Sequence, residues 1–140
     1  MKRYLLTVGT LLWWSIVLFS SGPSASSSWT MELLRRFLGL EGEALFLADS
    51  IARKAGHVTY YGLLALLFTL TLSAWFGKSA KWVLVGAALA LLTGCFDELR
   101  QSFYPNRHGS PFDLFYDGAG VGVVVLWLLR SGQYSTKDLH

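Results

Sequence analysis

Four long apolar segments constrain this chain more than any other feature of its sequence. They cover about 4–20, 57–76, 82–101 and 112–129 of the 140 residues. A helix needs about 20 mostly apolar residues to cross the roughly 30 Å hydrocarbon core of a bilayer, and these segments come close to that length. Hydrophobic residues make up 53% of the chain and charged residues only 15%. We therefore predict an all-α integral membrane bundle of about four spans, forming a single domain over residues 1–140.

The charge and cysteine content narrow the function classes. The formal net charge is +3, but the basic residues are scattered along the chain rather than clustered. Scattered lysines and arginines in a membrane protein are typical of topology signals, so no nucleic-acid partner is indicated. The single cysteine, Cys95, lies inside an apolar run. It can form no internal disulfide and no thiolate metal cluster, and the sequence indicates no cofactor.

The segment between the first two apolar runs has a different character. Residues 31–54 carry mixed charges, and leucines and phenylalanines recur among them at helical spacing. This pattern predicts one or two short amphipathic helices along the membrane surface. The first apolar run also has a second interpretation, a cleaved secretory signal peptide, although Pro23 disturbs the best cleavage positions.

Basic residues in the short connections predict the orientation. One side of a four-span bundle collects Lys2, Arg3, Lys78, Lys81, Arg130 and Lys137. The positive-inside rule places that side, and therefore both termini, in the cytoplasm. The opposite side is also rich in basic residues, but there they are mixed with acidic ones. The expected location is the inner (cytoplasmic) membrane of a bacterium, in which the chain is multi-pass.

The third apolar run is too short to cross a membrane by itself. From Trp82 to Phe96 it is continuously apolar, which corresponds to about 22 Å of helix at about 1.5 Å per residue. To cross, the helix must continue through Asp97, Glu98 and Gln101. Ionisable groups in a bilayer cost roughly 2.5–3.5 kcal/mol each on insertion scales, so we expect neighbouring helices to shield them. Such a cost indicates a functional site.

Polar residues recur every three or four positions at one end of three predicted spans, so each set shares a helix face. The sets are Lys54, His57 and Tyr61; Thr93, Asp97 and Gln101; and Ser110, Asp113 and Asp117. In a four-span bundle the three ends meet at one membrane face, together with Glu98 and with Arg107 from the adjoining loop. We predict a ligand-binding pocket there, with Asp97, Glu98 and His57 as catalytic candidates. Gly118, Gly120 and Gly122 give a Gly-x-x-x-Gly that predicts close approach of the helix backbones.

Structural explanations of the same residues stay open. Asp97 could pair with Arg107 or Lys54 only to hold the helices in register, Glu98 and Arg100 could be solvated loop charges, and His57 could be a hydrogen-bond donor in the core. A metal site of His57 with Asp97, Glu98 or Asp113 is also conceivable. We do not predict one, because the sequence shows no tight ligand spacing.

Taken together, these motifs resemble the VanZ-like family of membrane proteins, over about residues 10–130. The matching residues are Ser20 and Ser21 at the end of the first span, Lys54, His57 and Tyr61 in the second, Asp97, Glu98 and Gln101 in the third, and Arg107, Ser110, Asp113, Asp117, Gly118 and Gly120 around the start of the fourth. The resemblance implies a small multispan protein of the bacterial cell envelope. It also implies a link to low-level resistance to teicoplanin, a lipoglycopeptide antibiotic, without a settled biochemical activity.

Two function classes follow from the predicted pocket. The first is a membrane-embedded enzyme acting on a lipid head group or lipid-linked phosphate, in which Lys54 and Arg107 hold the phosphate and a carboxylate acts as base. The second is a non-catalytic binding protein whose partners are membrane lipids or a lipid-linked or lipoglycopeptide ligand. A transporter is a weaker third option, since four short spans need to assemble as a homo-oligomer to form a path.

Overall fold

The computed structural model describes residues 1–20, 27–103 and 112–134, and every regular element in them is an α-helix. The five helices are α1 (Lys2–Ser20), α2 (Ser27–Leu38), α3 (Gly42–Phe76), α4 (Ala80–Ser102) and α5 (Asp113–Arg130). The predicted all-α class is therefore confirmed for the described part of the chain.

Three of these helices, α1, α3 and α4, are long and apolar enough to cross a membrane. The fourth predicted span corresponds to α5, which is not among them. Its 18 residues include three charged ones, Asp113, Asp117 and Arg130. The membrane character predicted from composition is thus borne out, whereas the count of four spans is not confirmed.

Helix α3 differs from the prediction, which divided its residues between a surface segment and a separate span. The structure shows one continuous helix of 35 residues, about 52 Å long at about 1.5 Å per residue. No proline interrupts it, and the strong helix formers Ala52 to Ala55 precede the predicted boundary, so the helix continues through Gly56. Of the predicted surface segment, residues 31–54, only the first part forms a separate helix, α2. This helix ends at Leu38 and is followed by Gly39 in a left-handed conformation (φ 63°).

The bundle is arranged around α3, which contacts each of the other four helices. Helix α1 lies antiparallel to it: the Trp75 indole donates to the Thr7 hydroxyl at 3.1 Å, and Thr10 and Thr71 share a hydrogen bond of 2.7 Å. Hydroxyl pairs of this kind satisfy polar groups between helices where no water competes. The core between α3, α4 and α5 is apolar and tightly closed around Leu64 and Ala90.

The closest helix approach is between α3 and α5, at Gly62 and Gly120. A Cβ added at Gly120 would lie 2.0 Å from the Val58 carbonyl oxygen, and one added at Gly62 would lie 3.1 Å from the Gly120 carbonyl oxygen. Of the three glycines named in the prediction, Gly120 makes this approach, whereas Gly118 and Gly122 both face open space. The intervening glycine is the one that lets the two backbones meet.

This packing gives the bundle two chemically different ends. At the basic end, the Arg3 guanidinium lies 4.5 Å from the centre of the Trp75 ring, and the Lys78 ammonium donates to Gln133 at 3.0 Å. At the other end, which we call the polar end, the C-terminus of α4 and the N-terminus of α5 meet the middle of α3. The antiparallel order of α3 and α4 is what brings these polar segments together.

The glycine contact makes a stability prediction. We expect Gly120→Ala to destabilise the bundle by about 1–3 kcal/mol or more, because the new methyl group collides with backbone that cannot rotate away. Gly122→Ala is the matched control on the same helix, and it should leave stability unchanged or slightly higher. Thermal unfolding of the purified variants in detergent measures both. Equal melting temperatures for the two variants would contradict the close approach.

Candidate functional site

Three helices supply the side chains of one polar cluster at the polar end. His57 comes from α3, Asp113 and Asp117 come from the first turns of α5, and the last turns of α4 contribute Asp97, Glu98, Arg100 and Gln101. Members of each predicted helix-face set therefore meet in space, namely His57, Asp97 with Gln101, and Asp113 with Asp117.

One hydrogen-bonded contact in the cluster joins α3 to α5. His57 Nδ1 lies 2.8 Å from Asp117 Oδ1, and the Asp117 side chain is 1% exposed. The other ring nitrogen, Nε2, lies 4.0 Å from an oxygen of Asp113. The imidazole also stacks on the Tyr61 ring, with centroids 6.1 Å apart. The histidine is thus held by a buried carboxylate on one side, while its second nitrogen is turned toward further carboxylates.

Asp97 is the centre of a second set of contacts. Its carboxylate is 1% exposed and accepts hydrogen bonds from Gln101 at 2.8 Å and from Arg100 at 2.9 Å. The same guanidinium nitrogen of Arg100 donates to the Leu18 carbonyl of α1. Arg100 is therefore a clamp between α1 and α4 and not a solvated loop charge.

Lys54 does not occupy the position predicted for it. Its side chain is exposed, and its ammonium group lies 5.3 Å from the centre of the Tyr116 ring. The partner of Asp97 among the described residues is Arg100 rather than Lys54. Two further predicted site residues, Arg107 and Ser110, lie outside the described residues.

A cavity of about 290 Å³ opens beside the cluster, between α1, α2, α3 and α4. His57, Tyr61, Asp97 and Gln101 form its inner wall. Its other lining residues are Val17, Ser20, Trp29, Thr30, Ala52, Arg53, Gly56 and Tyr60. The volume is near the lower limit of about 300 Å³ for small-ligand sites, which fits a head group rather than a whole amphiphile.

The cavity contains residues that the sequence prediction missed, above all Arg53, Tyr60 and Trp29. A helical pattern could have found two of them. Arg53, His57, Tyr60 and Tyr61 stand at positions i, i+4, i+7 and i+8, so they share one face of α3. Trp29 had no such signal, because only the packing of α2 against α3 brings it to the rim, where it is 62% exposed.

A further group lies on the α5 side of His57. Ligand atoms of His57, Glu98 and Asp113 all lie within 4.8 Å of one another. Each side chain comes from a different helix and is half-buried. One imidazole and two carboxylates at this separation have the composition of a divalent metal site.

No family model, curated protein or solved structure matches this chain. The function is therefore argued from the geometry and chemistry of the polar end.

The Arg100 clamp makes a second prediction. Arg100→Ala should destabilise the fold by about 3 kcal/mol, because it removes the cationic partner of a buried carboxylate. Arg36→Ala, on the exposed side of α2, should have little effect. Adding Asp97→Asn to Arg100→Ala should recover part of the loss, since a neutral amide needs no counter-charge. Unfolding in mixed detergent micelles measures the free energy of unfolding of all three variants. Equal free energies for Arg100→Ala and Arg36→Ala would contradict the clamp.

Proposed function

We propose that this chain is a multi-pass protein of the bacterial cell envelope, which binds the polar head group of a membrane lipid or lipid-linked molecule in the cavity at its polar end. The observation that carries the proposal is the composition of that cavity, at the end of an apolar bundle: one arginine, one histidine, three aromatic side chains and the Asp97 carboxylate, which is paired with Arg100.

The proposed membrane placement has four spans, with α5 as the fourth. The charges in α5 do not prevent this, because Asp117 faces the bundle interior and Asp113 and Arg130 stand at the two helix ends. The outer faces of the bundle support it. Large apolar side chains are exposed on α1, α4 and α5, including Leu5 (66%), Leu92 (65%) and Val123 (66%). Such surfaces are normal against lipid and unusual against water.

The proposed orientation has both termini in the cytoplasm and the polar end outside. Lys2, Arg3, Lys78, Lys81 and Arg130 all lie at the basic end, in agreement with the positive-inside rule. The cavity then lies at the outer surface of the cytoplasmic membrane. Lipid head groups and lipid-linked wall precursors are present at that surface.

The cavity chemistry favours a phosphate-bearing head group. Arg53 is half-buried and lines the cavity, where its guanidinium can hold a phosphate through two parallel hydrogen bonds. Trp29, Tyr60 and Tyr61 offer an aromatic wall with polar tips, which suits a ligand at the boundary between lipid and water. The resemblance to VanZ-like proteins, including their link to teicoplanin, agrees with a ligand at this boundary.

The His57–Asp117 pair favours a second candidate, an enzyme acting on the same head group. A buried carboxylate that holds Nδ1 orients the imidazole and stabilises its protonated form, so that Nε2 can accept a proton as a general base. Asp97 and Glu98 stay candidates from the sequence for acid–base work. The binding function requires fewer groups, since it needs no nucleophile.

Two adjacent residues provide a binding test with a matched control. Arg53→Gln should weaken binding of phosphatidylglycerol to the purified protein by about tenfold, which corresponds to the loss of a charge-assisted hydrogen bond of about 1.4 kcal/mol. Lys54→Gln removes the same charge from the neighbouring exposed position and should have little effect. Native mass spectrometry with added lipid measures both. Equal losses in the two variants would indicate only attraction between a basic surface and an anionic lipid, and would overturn the cavity as the site.

The link to lipoglycopeptides is tested in cells. A sensitive bacterium that expresses the protein should become less susceptible to teicoplanin but not to vancomycin, which lacks the lipid tail. The shift should disappear in Arg53→Gln and persist in Lys54→Gln at matched membrane abundance. The absence of any shift with the protein correctly inserted would remove resistance from the proposal.

A further inference from the structure

We infer that His57, Glu98 and Asp113 bind one divalent transition-metal ion, Zn²⁺ or Mn²⁺, at the junction of α3, α4 and α5. The sequence prediction assigned no metal site. This inference does not depend on the lipid ligand proposed above, because two of the three metal ligands, Glu98 and Asp113, do not line the cavity. The ion would lie on the opposite side of the His57 ring from Asp117.

The three side chains are placed for a shared ligand. Their ligand atoms lie within 4.8 Å of one another, and His57 Nε2 is 4.0 Å from Asp113 Oδ2. In a tetrahedral site with metal–ligand bonds of about 2.0–2.1 Å, neighbouring ligand atoms are about 3.4 Å apart. Binding of the ion therefore requires a change in the side-chain torsions of Glu98 and Asp113, both of which are half-buried.

The fully buried Asp117 is a second, independent observation that points to a cation. Its Oδ1 holds His57 Nδ1 at 2.8 Å, the arrangement that fixes the ring of a metal-binding histidine and leaves Nε2 for the ion. Its Oδ2 is buried and has no hydrogen-bond partner within the described part of the chain. Burying a carboxylate in a low-dielectric interior is costly unless a positive charge lies nearby. A cation bound at Nε2, on the other side of the imidazole, provides that charge.

The donor set selects the class of metal. One imidazole nitrogen and two carboxylate oxygens suit Zn²⁺ and Mn²⁺, whereas Cu⁺ prefers thiolates and Mg²⁺ prefers oxygen ligands alone. The thiol of Cys95 is exposed and is not part of the cluster. Three protein ligands leave a coordination position for water or for an oxygen of a bound molecule. His57 also lines the cavity, whereas Glu98 and Asp113 do not, so the imidazole separates the proposed ion from the cavity.

The test measures metal directly. The full chain is purified with a tag that contains no histidine, stripped with a chelator, and dialysed against Zn²⁺ or Mn²⁺ in detergent. Elemental analysis should find about one ion per chain in the wild type, and the ion should raise the melting temperature. Glu98→Gln and Asp113→Asn should each lower the affinity at least tenfold. Asp117 only positions His57, so Asp117→Asn should lower the affinity for the metal by about 10–100-fold.

The controls separate this site from general attraction to acidic residues. Glu43→Gln removes a carboxylate from the exposed first turn of α3 and should bind metal like the wild type. Should His57→Ala fail to fold, the two carboxylate variants still decide the question. No metal in the wild type, or equal affinity in the wild type, Glu98→Gln and Asp113→Asn, would overturn the inference. Lipid binding measured on the same samples distinguishes this failure from a failure of the cavity proposal.

Discussion

The arrangement of this protein depends on two carboxylates that are removed from solvent inside an apolar bundle. Asp117 is held by His57 from a neighbouring helix, and Asp97 by Arg100 and Gln101 from its own. A buried charge without such partners destabilises a fold by several kcal/mol, so the His57–Asp117 pair constrains how α3 and α5 lie against each other. The contact from Arg100 to Leu18 extends the constraint to α1. The polar end is therefore both the part of the molecule suited to chemistry and a main restraint on helix register.

The lengths of the apolar runs and the helical periodicity of the polar residues predicted most of the helix positions and much of the polar cluster. The runs around α1 and α4 were placed within a few residues, because apolar length alone defines them. Most described members of the three polar sets came together, because residues at i, i+3 and i+4 share a face whatever surrounds them, but Lys54 did not. The course of α3 was predicted wrongly, since a change in polarity at about residue 55 was taken as a break in the backbone. Polarity decides where a helix lies relative to lipid, but it does not end a helix that contains no breaking residue.

The site residues that the sequence prediction misplaced or overlooked share one physical cause. Lys54 and Arg53 are adjacent and carry the same charge, so only the rotation of α3 against its neighbours decides which one faces the cavity. His57, Glu98 and Asp113 are far apart in sequence and have none of the short spacings that mark zinc motifs. Their proximity results from the antiparallel packing of α4 and the close contact at Gly120, and neither is visible in local patterns. Tertiary placement, rather than residue type, was the missing information.

The continuity of α3 has a mechanical consequence. About 20 residues of helix suffice to cross the hydrocarbon core, so in the proposed membrane placement the 35-residue α3 extends about 22 Å beyond it, carrying Arg53 and α2. Because α3 is one continuous helix, a change in the tilt of its spanning part also moves its projecting N-terminal end. A change of about 10° in tilt, which a thicker or thinner bilayer can impose, moves the first turn of α3 by about 4 Å. The width of the cavity between α1, α2 and α3 is thus expected to depend on bilayer thickness.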